Sequence, residues 1–168
     1  MQRRSWLKLG IASAAVLAVG GGALALLEPG LHQGRLAPAG RRVFTHVGRA
    51  MLDGSLPSAD PARQVALDGL LLRVDGLALS LPSHAQAELS QLLALLASGG
   101  GRRAIAGLST DWAAASVAEL QSAFQSMRTA SLDLRQQAYH ALHDITMGAY
   151  FSDASTWQHL GYPGPTKI

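Results

Sequence analysis

Between Arg41 and Tyr150 the apolar side chains recur three and four residues apart, and nowhere do β-branched and polar residues alternate as they would in a half-buried strand. Ala, Leu, Gln, Arg and Ser dominate this stretch, a composition suited to helices. The expected fold is all-α: a compact bundle of about five helices joined by short connections.

Local signals place the helices. Val43, Phe44, Val47 and Met51 predict a first helix over Arg41–Leu52, ended by Asp53-Gly54-Ser55. Asp60-Pro61 supplies a cap and a proline at the first helical position, opening a second helix that runs to about Leu79. Its apolar positions Val65, Leu67, Leu70, Leu71, Val74 and Leu77 to Leu79 are wide enough to be buried on more than one side. Leu81-Pro82 interrupts, and Ser83-His84-Ala85-Gln86 reads as a capping box opening a third helix to about Ala97. Gly99-Gly100-Gly101 stops that helix and reads as a flexible linker, since it lacks the lysine and hydroxyl residue of a phosphate loop. A shorter, less regular stretch surrounds Trp112. Ser116-Val117-Ala118-Glu119 is a second capping box, with Val117, Leu120, Phe124 and Met127 behind it. A last long helix spans about Ser131 to Tyr150.

The N-terminus is an address rather than a fold element. Arg3-Arg4-Ser5-Trp6-Leu7-Lys8 precedes an uncharged, glycine-rich stretch from Leu9 to Leu27. The arrangement resembles a twin-arginine (Tat) signal, in which Arg3, Arg4, Trp6, Leu7 and Lys8 are the recognised residues. A plain membrane anchor is the competing reading, because ~20 apolar residues suffice to cross a bilayer. Ala23-Leu24-Ala25 offers a signal-peptidase site, yet Leu26 and Leu27 extend the apolar run past it. Cleaved and tethered forms both stay open, and the expected location is the periplasm, free or held at the inner membrane. The chain divides into signal or anchor (1–27), linker (28–40), helical domain (41–150) and an aromatic tail (151–168).

Charge and cysteine content remove several function classes. The net charge of +3 matches the excess carried by Arg3, Arg4 and Lys8; from Glu28 onward eleven basic residues face eleven acidic ones. A nucleic-acid binder concentrates positive charge on its folded domain, so none is expected as a partner. With no cysteine, the chain has no disulfide, covalent haem, thiolate zinc or cysteine-held iron–sulfur site. No Gly-x-Gly-x-x-Gly dinucleotide fingerprint is present, and Gly107-Leu108-Ser109-Thr110 lacks the second glycine of a nucleophile elbow. The chain is expected to hold no cofactor.

The C-terminal stretch collects aromatics in a chain otherwise poor in them. Tyr150, Phe151, Trp157 and Tyr162 lead into Pro163-Gly164-Pro165, which cannot continue a helix. Packed on its own bundle the stretch is a clasp; packed on another protein it is an anchor, since Trp and Tyr join large apolar area to a polar handle. Tyr150, Phe151, Trp157, Tyr162 and Pro163 are the candidate partner contacts.

The twin-arginine leader, the helical body with Leu52-Asp53-Gly54-Ser55-Leu56-Pro57, and the ending Tyr150-Phe151…Trp157…Gly161-Tyr162-Pro163-Gly164-Pro165 together resemble the small subunit (subunit 3) family of gluconate 2-dehydrogenase. The likeness covers most of the chain loosely; the leader and the closing segment are its specific parts. It implies a noncatalytic subunit. In such complexes the flavin sits in a large FAD-dependent subunit of the glucose-methanol-choline type. Electrons often leave through a cytochrome c subunit, and the small subunit supports assembly and passage through the Tat translocon. The competing reading is a small periplasmic metal-binding protein or enzyme. His140 and His143 stand three apart beside Asp144 and can share a helix face, with His46 or His84 as further ligands, though no motif fixes such a set.

Overall fold

The computed structural model describes residues 27–161, which form an all-α bundle with one small hairpin at its entrance. Strands β1 (Leu31–His32) and β2 (Arg35–Leu36) lead into helices α1 (Pro38–Met51), α2 (Asp60–Ser80) and α3 (Ser83–Ala97). A helical turn, Gly99–Gly101, and a π-helical turn, Arg102–Ala106, connect α3 to α4 (Val117–Arg128). Helix α5 (Asp133–Phe151) and a 3-10 segment, Ala154–Leu160, complete the described chain.

Helix α1 is the axis of the bundle, touching α2, α3, α4 and α5. Its Val43, Phe44 and Val47 are wholly buried, as are Leu70 and Val74 of α2, Leu93 and Leu96 of α3, Leu120 and Met127 of α4, and Leu142 of α5. Each such side chain contributes about 1.5–3 kcal/mol by leaving water. Close approach needs small residues here: a β-carbon on Gly48 would stand 2.7 Å from Leu70 Cδ2, and one on Gly40 would collide with the Gly30 carbonyl.

The stretch 28–40, expected as a linker, belongs to the domain. Its turn, Gln33-Gly34, has φ of 50° and 76°, the left-handed pair that a two-residue hairpin requires. Leu31 and Leu36 are buried, the Gly30 and Leu31 N–H groups donate to the Ser90 carbonyl and hydroxyl, and the Leu36 N–H donates to Asp75 Oδ1 at 2.7 Å. The first helix correspondingly starts at Pro38 rather than Arg41, because proline's fixed φ suits a helix's first turn.

Other expectations are corrected. Asp60 is no cap: Ala59 precedes α2 and the Asp60 carboxylate accepts from Arg63. Val65, Leu77 and Leu79 of α2 are exposed rather than buried. Ser83 caps nothing; Pro82 precedes α3, and the Gln86 amide reaches back to the Leu81 carbonyl at 2.9 Å, serving the end of α2 instead. The glycine triplet ends α3 as expected but is no flexible linker: the Ser98 hydroxyl accepts the Gly101 N–H at 3.1 Å and starts a new turn. At Ser116 the expected capping box is present, with Glu119 accepting from the Ser116 N–H at 2.8 Å and Ser116 Oγ accepting from the Glu119 N–H. Among the described residues no helix is long and apolar enough to cross a membrane.

Candidate functional site

The aromatic end of α5 closes onto the loop after α1. Tyr150, the second-last residue of α5, is 3% exposed, and its hydroxyl donates to the Ser55 carbonyl at 2.8 Å across 95 positions of sequence. Burial raises its pKa above the usual phenol value, so the hydroxyl stays a donor. The two inner segments that carry the family resemblance, Leu52–Pro57 and Tyr150-Phe151, therefore meet. Gly54, at φ of 83°, makes the turn that aims the Ser55 carbonyl at the ring.

Phe151 stands edge-on to Tyr150, with ring centroids 5.1 Å apart, and stays half-buried. After it the chain turns through Asp153, whose Oδ1 accepts from the Ser155 N–H and hydroxyl at 2.9 and 2.7 Å. These bonds, together with Arg73, hold the carboxyl below its ordinary pKa. Arg73 on α2 braces both sides of the turn, giving Nε to the Ala149 carbonyl at 2.8 Å and Nη1 to Asp153 Oδ2 at 3.1 Å. The Thr156 hydroxyl lies within hydrogen-bonding distance of the Tyr150 and Asp153 carbonyls. The Trp157 indole N–H donates to the Phe151 carbonyl at 2.8 Å, leaving the ring half-buried. These bonds serve the chain's own turn, around which Ser152 and Ser155 stay exposed.

The expected contact residues thus separate. Tyr150 is a clasp, buried in its own domain and unavailable to a partner. Phe151 and Trp157 are half-buried and keep some outward surface. Tyr162 and Pro163 lie outside the described residues, as do Arg3, Arg4, Trp6, Leu7 and Lys8 of the leader.

The histidine pair shares a ring neighbour but makes no metal-holding group with other described residues. The Tyr139 ring contacts both His140 and His143, at centroid distances of 5.4 and 5.6 Å, and His143 Nδ1 is 3.0 Å from Asp144 Oδ1. His46 is on α1, where Arg49 Nη1 approaches its Nδ1 at 3.2 Å, and His84 is exposed at the start of α3. Among the described residues no group of three or more His, Cys, Asp or Glu side chains is placed to hold a metal ion.

Two polar features escaped the sequence reading, and a third, His46, was named there only as a possible metal ligand. Asp75, 2% exposed, binds the Leu36 N–H and Arg41 Nη2, both at 2.7 Å, and so ties β2, α1 and α2 together. Arg102, also buried, reaches Asp111 at 2.9 Å. His46 is held below its ordinary pKa by burial and by Arg49, partly offset by Asp111. Because arginine can only donate, the neutral imidazole accepts through Nδ1 and carries its proton on Nε2. Asp75 did leave a trace, as a carboxylate set on the apolar face of α2 between Leu71 and Ala78. Comparison with family models, curated proteins and solved structures finds no match to this chain.

Proposed function

We propose that this protein is a noncatalytic small subunit that assists the folding, assembly and Tat-dependent export of a larger flavin-dependent dehydrogenase of the glucose-methanol-choline type. The observation that carries this reading is the Arg3-Arg4-Ser5-Trp6-Leu7-Lys8 leader placed ahead of a small helical domain. Tat translocons carry folded cargo, and a flavin is inserted before export, so one leader can serve a whole complex. The domain adds one observation in support: at its aromatic corner Phe151 and Trp157 are only half-buried. A subunit that binds only the folded partner stabilises that state by mass action, roughly 3 kcal/mol when its concentration is a hundredfold above Kd.

The test is co-expression of a large flavoprotein encoded beside this chain, with and without the subunit. Flavoprotein activity in the periplasm should depend on the subunit. Equal periplasmic activity in its absence would end the proposal.

A further inference from the structure

Almost no slack separates the leader from the folded domain. The nineteen residues from Leu9 to Leu27 carry no charge, a length sufficient to cross the hydrocarbon core of a bilayer. The last of them, Leu27, is already half-buried in the domain, and Glu28 meets Arg42 at 3.0 Å. Gly30 is locked. Its N–H donates to the Ser90 carbonyl at 3.2 Å, its carbonyl accepts from the Ala37 N–H at 3.0 Å, and a β-carbon there would collide with Leu93 Cβ. The hairpin then buries Leu31 and Leu36 and is fastened to Asp75.

That seating decides what a signal peptidase can reach. Such an enzyme reads small-x-small patterns in accessible, unbonded backbone. The two patterns nearest the domain are Ala23-Leu24-Ala25 and Ala37-Pro38-Ala39. The second is shut inside the fold, with Ala37 and Ala39 7% and 0% exposed and Pro38 opening α1. The first lies outside the described residues, yet Ala25 is only five positions from Gly30, ~17 Å of fully extended chain. A domain of this length is about 35 Å across. Its bulk therefore stands where the peptidase must close on the bond after Ala25. Because Tat cargo crosses folded, this finished fold is what the peptidase meets.

We propose that the leader is retained after export and holds the domain against the lipid bilayer by its hairpin end. This rests on the N-terminus being an export leader and on nothing about the partner's identity. The tether is shorter than the domain is wide, so the entrance around Glu28 and Gly30 stays at the membrane surface. Helix α1, 14 residues and ~20 Å long, runs from that held end to the loop that Tyr150 clasps. The aromatic corner is thus at the opposite end of α1 from the anchor.

The test incubates the full chain, purified in detergent, with a bacterial signal peptidase and follows its mass. The wild type should keep its full 17.6 kDa. A variant with about ten Gly/Ser residues inserted between Leu27 and Glu28 has a flexible reach that the wild type lacks. It should be cut after Ala25 at least about tenfold faster, since cleavage tracks the accessible population. Asp75→Ala, which loosens the hairpin without lengthening the tether, should fall between the two. In cells, the intact wild-type chain should stay in the membrane fraction through a high-salt wash, and the spacer variant should appear shortened in the soluble periplasm. A wild type cut as fast as the spacer variant, a spacer variant that resists equally, or an exported wild-type chain recovered shortened would overturn the proposal. An intact chain confined to the cytoplasm would overturn the leader reading, and this proposal with it.

Discussion

Two side chains, Tyr150 and Asp75, hold elements together that are far apart in sequence, and His46 adds a pH dependence; each gives a measurable consequence. Tyr150→Phe keeps the ring and deletes the donor to Ser55, so it should cost about 1 kcal/mol in a denaturant titration. Asp75→Ala leaves the buried Leu36 N–H unpaired at a cost of about 1–3 kcal/mol, while Arg41, already 42% exposed, returns to water at little further loss. Asp75→Asn keeps an acceptor for that N–H and should recover most of the stability. The sign at His46 follows from its lowered pKa. As pH falls through 6.5 the unfolded chain takes the proton first, so stability drops between about pH 7 and the lower pKa of the folded form. His46→Gln should flatten that part of the profile, and an unchanged slope would place its cause elsewhere. Such residues are poorly legible in sequence because their partners lie 39 and 95 positions away. Asp75 alone signals itself, by occupying an apolar register.

At the scale of elements, legibility follows the range of the interaction that sets each boundary. Ser116…Glu119 acts within one turn, and the helix it opens begins where expected; α2 begins one residue before its expected start, and the Asp60 carboxylate makes no cap but accepts from Arg63. Ser83…Gln86 offers the same local pattern, but Pro82 and the nearby end of α2 draw the Gln86 amide away. The hairpin at 31–36 escaped because its strands are two residues long and its Gln33-Gly34 turn is not the Asn-Gly that announces such a turn. What fixes it is distant, in Ser90 and Asp75. At the other end, the 3-10 segment is held by the indole N–H of Trp157 and the hydroxyl of Thr156. Trp157→Ala should therefore lower the melting temperature of this protein alone by about 3–6 °C, through lost packing and one hydrogen bond. An unchanged melting temperature would mean that this ring serves a partner and not the clasp.

For the molecule as a whole, the all-α class was readable from spacing and composition, while the site was readable only in outline. The aromatic cluster was identifiable from its concentration in a chain otherwise poor in such residues, but its division into buried Tyr150 and half-buried Phe151 and Trp157 depends on a loop after α1 that no local pattern indicates. The proposed function requires the leader and the domain to act for another protein, and that proposal can be tested without altering the domain. Replacing Arg3 and Arg4 by lysine in this chain alone, the proposed flavoprotein partner being left as it is, separates export from folding. The account predicts that flavin-loaded dehydrogenase then accumulates in the cytoplasm and disappears from the periplasm; its undiminished arrival in the periplasm would contradict the account.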